Sequence, residues 1–137
     1  MPLAGQEAES NTTVWAGVYS AEQARRGERI YQRRCKKCHR DDLSGDGAFQ
    51  GDGSEVVPIL VDVSFDDRWT ELTVAELFMT ISRAMPWDAP GTVKPQDNID
   101  VVSYLLKMNG IPSGQTDLPP EADALDRIRI TPEPPGE

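Results

Sequence analysis

An all-α domain is the fold class that this sequence predicts, on three observations. Three stretches carry apolar residues at spacings of three and four. Each opens on a capping residue or on proline. Outside them no strand pair is convincing and no internal repeat occurs. The 137 residues fit one domain, and 11 Gly and 11 Pro place much of the chain in loops.

The elements follow in chain order. Residues 1–14 are small and polar and predict a mobile lead-in. The first helix spans residues 20–34. Ser20 is its N-cap, with Gln23 three residues on as in a capping box. Ala24, Gly27, Tyr31 and Cys35 form its inner face, and the arginines take the outer one. Gly27 weakens a helix by about 1 kcal/mol against Ala, so a second helix is expected to approach there closely. Residues 41–57 form a Gly/Asp-rich loop. Thr73 and Glu76 make a second capping box, opening a helix to about Arg83 whose inner residues are Leu77 and Ile81, with Met85 next. Pro86 and Pro90 end it. Pro95 starts the last helix, roughly 95–109, with Ile99, Val102, Leu105 and Leu106 on one side and Gly110 closing it. Residues 15–112 are thus the expected domain. Residues 113–137, with five prolines and the patch Leu125, Ile128 and Ile130, are a tail expected to pack partly back on it.

Charge excludes some functions and suggests others. The net charge is −9, which argues against a nucleic-acid binder. Eight of the 14 basic residues but only two of the 23 acidic ones lie in residues 21–40, a net +6 that leaves −15 for the rest. Such a dipole steers a charged partner to one face. No run of 18 apolar residues predicts a membrane span.

The chemistry sits in Cys35-Lys36-Lys37-Cys38-His39, which holds both cysteines and the single histidine. Cys-x-x-Cys-His is the attachment signal for a c-type haem. Each thiol adds to one vinyl group, and the next residue, His39, falls over the iron. A thioredoxin-like site would need a βαβ context, and a zinc site more ligands than the chain has. One covalent haem c is expected, through Cys35 and Cys38. It would supply core that a chain only 38% hydrophobic lacks.

With no second histidine, the sixth iron ligand is a methionine or the position is open. Met79 and Met108 fall within predicted helices, whereas Met85 ends one and leads into a Pro/Gly-rich loop, so Met85 is the expected axial ligand beside His39. The alternative is a gas-binding or peroxidase-like haem protein with an open or displaceable sixth ligand. Asp42 to Gly47 begins like a calcium-binding EF-hand loop, but Gly53 stands where the twelfth-position Glu belongs, so a solvated acidic loop is expected.

These residues together resemble the class I, single-haem c-type cytochromes, over about residues 20–112. Gly27 and Tyr31 match the glycine and aromatic of that family's first helix, which cross the last helix at an aromatic position where Tyr104 stands here. Met85-Pro86 matches the axial methionine and the proline after it. The resemblance implies that the Pro58 carbonyl, in Pro58-Ile59-Leu60, takes the Nδ1 proton of His39, and that Trp69 hydrogen-bonds a haem propionate. Arg68 and Arg83 are candidates for further propionate contacts. More narrowly, Gly17 to Ser20, Met85 to Gly91, Val101 to Leu106 and Ile128 to Ile130 are similar to cytochrome domains beside quinoprotein (PQQ) alcohol dehydrogenases.

The fold implied is the class I cytochrome c fold, about three to five helices around one haem, with extended N- and C-terminal segments. The function implied is one-electron transfer, not an enzyme's turnover of an organic substrate. Electrons would come from a dehydrogenase and pass to an oxidase or another cytochrome, docked on the basic face of residues 25–40. Haem c is attached outside the cytoplasm, so a periplasmic location is expected, with any leader already removed.

Overall fold

Ser20 opens helix α1 (Ala21–Arg34) by accepting the Gln23 N–H at 3.1 Å, in a computed structural model that describes residues 12–34, 69–84 and 91–134. Thr73 and Glu76 open α2 (Val74–Ala84) with a complete capping box. The Glu76 N–H donates to Thr73 Oγ1 at 3.3 Å, and the Thr73 N–H donates to Glu76 Oε1 at 3.2 Å. Pro95 is the first residue of α3 (Pro95–Met108), where its missing N–H costs nothing. Lys94 stands at the N-cap without a side-chain bond. Gly110 leaves the helix at φ +80°, a conformation glycine adopts without strain.

The capping box expected around Ser20 is only half made. The Gln23 amide turns inward to Asp100 and Leu118 instead of back to the helix start. A buried amide with three partners outcompetes a solvent-exposed cap bond.

Helices α1 and α3 cross at Gly27, as its place on the inner face predicts. A Cβ at Gly27 would fall on the carbonyl of Asp100, far inside van der Waals contact. One turn on, Tyr31 meets Tyr104 with ring centroids 5.2 Å apart, tilted by 48°. Every residue of α3 from Asn98 to Leu106 is buried, where the periodicity predicted one apolar side. Ile99, Val102 and Leu106 join a core with Val14, Ala24, Leu77 and Leu125, while Val101, Tyr104 and Leu105 join a second one with Ile30 and Tyr31.

Two short strands, one early and one late among the described residues, hold each other. Thr12–Thr13 (β1) pairs in parallel with Ile128–Arg129 (β2), and a short helix α4 (Ala122–Leu125) precedes β2. Two residues are too few for alternation to show, which is why no strand pair was legible in the sequence. Of the lead-in expected over 1–14, residues 1–11 lie outside the described residues, while Thr12 and Thr13 are paired and Val14 is fully buried. Leu118, Leu125, Ile128 and Ile130 are buried in the same core. Each such side chain contributes about 1.5–3 kcal/mol by leaving water.

Candidate functional site

Of the expected site residues, Cys35, Cys38, His39, Pro58, Leu60, Arg68 and Met85 lie outside the described residues, as do Lys36, Lys37, Arg40 and the acidic loop 41–57. The structure does describe the two helices from which the chain enters the motif and the methionine. Helix α1 ends at Arg34, one residue before Cys35. Helix α2 ends at Ala84, one residue before Met85.

Those two helix ends converge. Ile81, four residues before Met85, packs against the cluster of Ile30, Tyr31, Val101, Tyr104 and Leu105. Ile30 and Tyr31 stand five and four residues before Cys35. Arg34 donates to Thr92 Oγ1 at 2.9 Å, so the chain entering the motif touches the chain that follows the methionine loop. Tyr31 is fully buried, and Trp69 is buried beside Leu77 and Phe78 in the first core. Arg83 is exposed on the last turn of α2. Met79 is half-buried against the first core, and Met108 is exposed at the end of α3.

The donor set fits a haem c. Two thiols and an imidazole follow directly on one helix end, a thioether on the other, and the structure brings those ends to a shared apolar cluster. Among the described residues no cluster of His, Cys, Asp or Glu offers a rival metal site.

The outer face of α1 carries Arg25, Arg29 and Arg33, four residues apart and exposed. Arg25 pairs with Glu22 at 2.7 Å, and its guanidinium holds the Glu22 carboxyl below the usual range. Arg26, counted with the outward arginines from the sequence, turns away from that stripe. It pairs with Asp100 at 3.2 Å and with Asp117 at 2.7 Å. These two carboxylates, Asp100 first, raise the Arg26 pKa further and keep it charged.

Sequence reasoning missed this polar core. Asp100 is buried and accepts from Gln23 Nε2 at 3.2 Å, Gln96 Nε2 at 2.9 Å and Arg26. Gln23 also takes both backbone groups of Leu118, its Nε2 donating to the carbonyl at 2.9 Å and its Oε1 accepting the N–H at 2.7 Å. The available signal was the placement of Gln23 on the Gly27 side of α1 and of Asp100 between Ile99 and Val101.

The family model described as cytochrome c oxidase, cbb3-type, subunit III matches residues 22–105, more than half of the chain. No curated protein matches the sequence. Among solved structures, the chain is similar to one in the crystal structure of the sulfane dehydrogenase SoxCD from Paracoccus pantotrophus, with 17% identity and a TM-score of 0.45. The match covers 85% of this chain and 59% of that one.

Proposed function

This chain belongs to the c-type cytochrome family of cbb3-type oxidase subunit III, an electron-transfer family, and from that premise we propose a single covalent haem c ligated by His39 and Met85. Bound haem would supply a one-electron Fe(III)/Fe(II) couple, and His39 and Met85 would be the residues that hold its iron.

The observation that carries this reading is the convergence of the α1 and α2 ends on one apolar cluster, with the thiols and imidazole of Cys35-x-x-Cys38-His39 next in sequence after one and the Met85 thioether after the other. In this reading Cys35 and Cys38 tether the cofactor, and the Pro58 carbonyl, beside Leu60, orients the His39 imidazole. Buried Tyr31 and Tyr104 close the α1–α3 crossing against water at that end. Trp69, Arg68 and Arg83 serve the propionates. Met85 donates a neutral sulfur, which favours the ferrous state and a comparatively high potential. In this reading residues 15–112 are the haem domain, and residues 113–137 are a proline-rich tail that packs partly on it.

The electron donor in this reading is a periplasmic dehydrogenase, and the acceptor an oxidase or a second cytochrome. The exposed Arg25, Arg29 and Arg33 stripe, continuing in sequence into Lys36 and Lys37, favours an acidic docking surface. Among the described residues no helix is long and apolar enough to cross a membrane.

The test is an absorption spectrum of the ferric and ferrous holoprotein, repeated under carbon monoxide. A low-spin spectrum with the weak red sulfur-to-iron band, indifferent to carbon monoxide and abolished by Met85→Ala but not Met79→Leu, is expected. A high-spin spectrum or ready carbon monoxide binding would replace this reading with a gas-binding or peroxidase-like one.

A further inference from the structure

Residues 111–131 cross the molecule as a strap fastened at two ends. At the first end the partners are the start of α1 and the residues before it. Gln23 holds both backbone groups of Leu118. Asp117 accepts from Ser20 and from Arg26. The Gly114 N–H donates to the Tyr19 carbonyl, with the backbones so close that a Cβ at Gly114 would collide with Gly17. At the second end the partners are the residues that open α2. The Ile130 N–H donates to the Leu72 carbonyl at 2.8 Å, and the Glu71 N–H donates to the Ile130 carbonyl at 2.7 Å. Asp126 accepts from Thr73 Oγ1 at 3.1 Å, and Arg129 pairs with Glu71 at 2.7 Å.

Helices α1 and α2 make few direct contacts with each other. Each packs on α3, and α2 also packs on α4 and β2 of the strap. Among the described residues, the strap and α3 are thus the two bodies that set how far apart α1 and α2 stand. We infer that the strap positions the sixth ligand: by joining Gln23 of α1 to Leu72 at the head of α2, it fixes the helix that delivers Met85 against the helix that delivers His39. This rests on the His39/Met85 reading. A neutral thioether stays on an iron only where the protein holds it there, so its occupancy follows the rigidity of the element that carries it. Ile130 and Asp117 are positioning residues in this account, and neither needs to touch the cofactor.

The experiment uses the full-length holoprotein and three variants, Ile130→Ala, Ile130→Val and Asp117→Asn. Two quantities are read: the rate at which the ferrous form binds carbon monoxide, and the urea concentration at which the red sulfur–iron band disappears, compared with that at which tryptophan fluorescence reports unfolding. Ile130→Ala is expected to bind carbon monoxide about tenfold faster, because the fraction with Met85 off the iron rises in proportion. It should also lose the band at lower urea than the fold. Ile130→Val should restore wild-type behaviour, and Asp117→Asn should show the same effects to a smaller degree. Band and fold lost together, at a wild-type carbon monoxide rate, would overturn the inference and leave the strap a purely structural element. If Ile130→Ala fails to fold, Asp117→Asn, which keeps every buried side chain, decides alone by the same two readings. A wild-type protein without the band refutes the His39/Met85 reading, and the inference with it, before any variant is made.

Discussion

Tyr31 on α1 and Tyr104 on α3 face each other with ring centroids 5.2 Å apart and planes tilted by 48°. Tyr31 is the last buried residue of α1, four positions before Cys35. Tilted aromatic pairs contribute about 0.5–1.5 kcal/mol beyond their burial. A double-mutant cycle of Tyr31→Ala and Tyr104→Ala should therefore return a coupling in that range. Each single change should cost about 3–5 kcal/mol, as for other large core truncations. Additive single effects in urea unfolding would mean that the rings merely share a cluster.

Gly27→Ala tests the helix crossing itself. The added methyl meets backbone, the Asp100 carbonyl, and not the end of a flexible side chain, so α1 and α3 must separate. Overpacking of this kind costs about 1–3 kcal/mol. The alanine would otherwise favour the helix by about 1 kcal/mol, so a stabilised variant in chemical denaturation would show that the crossing gives way freely.

Asp117 makes the strap sensitive to acid. Hydrogen bonds from Ser20 and then Arg26 hold its carboxyl below the ordinary range. A carboxyl depressed on folding adds stability that is present above its unfolded value of about 4 and is lost as pH falls through the folded one. Asp117 is 44% exposed, so solvent screens much of this. Asp117→Asn should lower the thermal midpoint at pH 7 by about 2–4 °C and by less at acid pH, as the wild-type carboxyl takes up its own proton. An equal loss at both pH values would assign the effect to packing.

The arginine stripe predicts a salt-dependent encounter. Arg29→Glu combined with Arg33→Glu reverses two exposed charges without disturbing Arg26, which is tied to Asp100. Electron transfer to an acidic redox protein should slow by about tenfold at low ionic strength and converge on the wild-type rate at high salt. Lys107→Glu combined with Arg127→Glu, two exposed residues outside α1, makes the same change in net charge and is the control. Equal slowing by that control would mean that the whole-molecule field, and not this face, guides docking.

The start of each long helix, the closing glycine of α3 and the inner residues Ala24, Gly27, Tyr31, Leu77, Ile99 and Leu106 were all legible in the residues themselves. So was the Cys-x-x-Cys-His spacing on which the proposed haem attachment rests. Caps and apolar periods act over three or four positions, and the spacing of two thiols and an imidazole is chemistry written in five consecutive residues.

Three-dimensional contact alone decided where Gln23 spends its amide, why Arg26 leaves the outer stripe, and how residues 111–131 bind both α1 and the head of α2. Gln23 and Asp100 are 77 residues apart, and Gln23 and Leu118 are 95. A local rule can say that Gln23 could complete a cap. Only the crossing at Gly27 brings Asp100 and the returning tail close enough for a buried network to compete for that side chain, and a buried polar group left without partners costs more than an exposed cap bond returns.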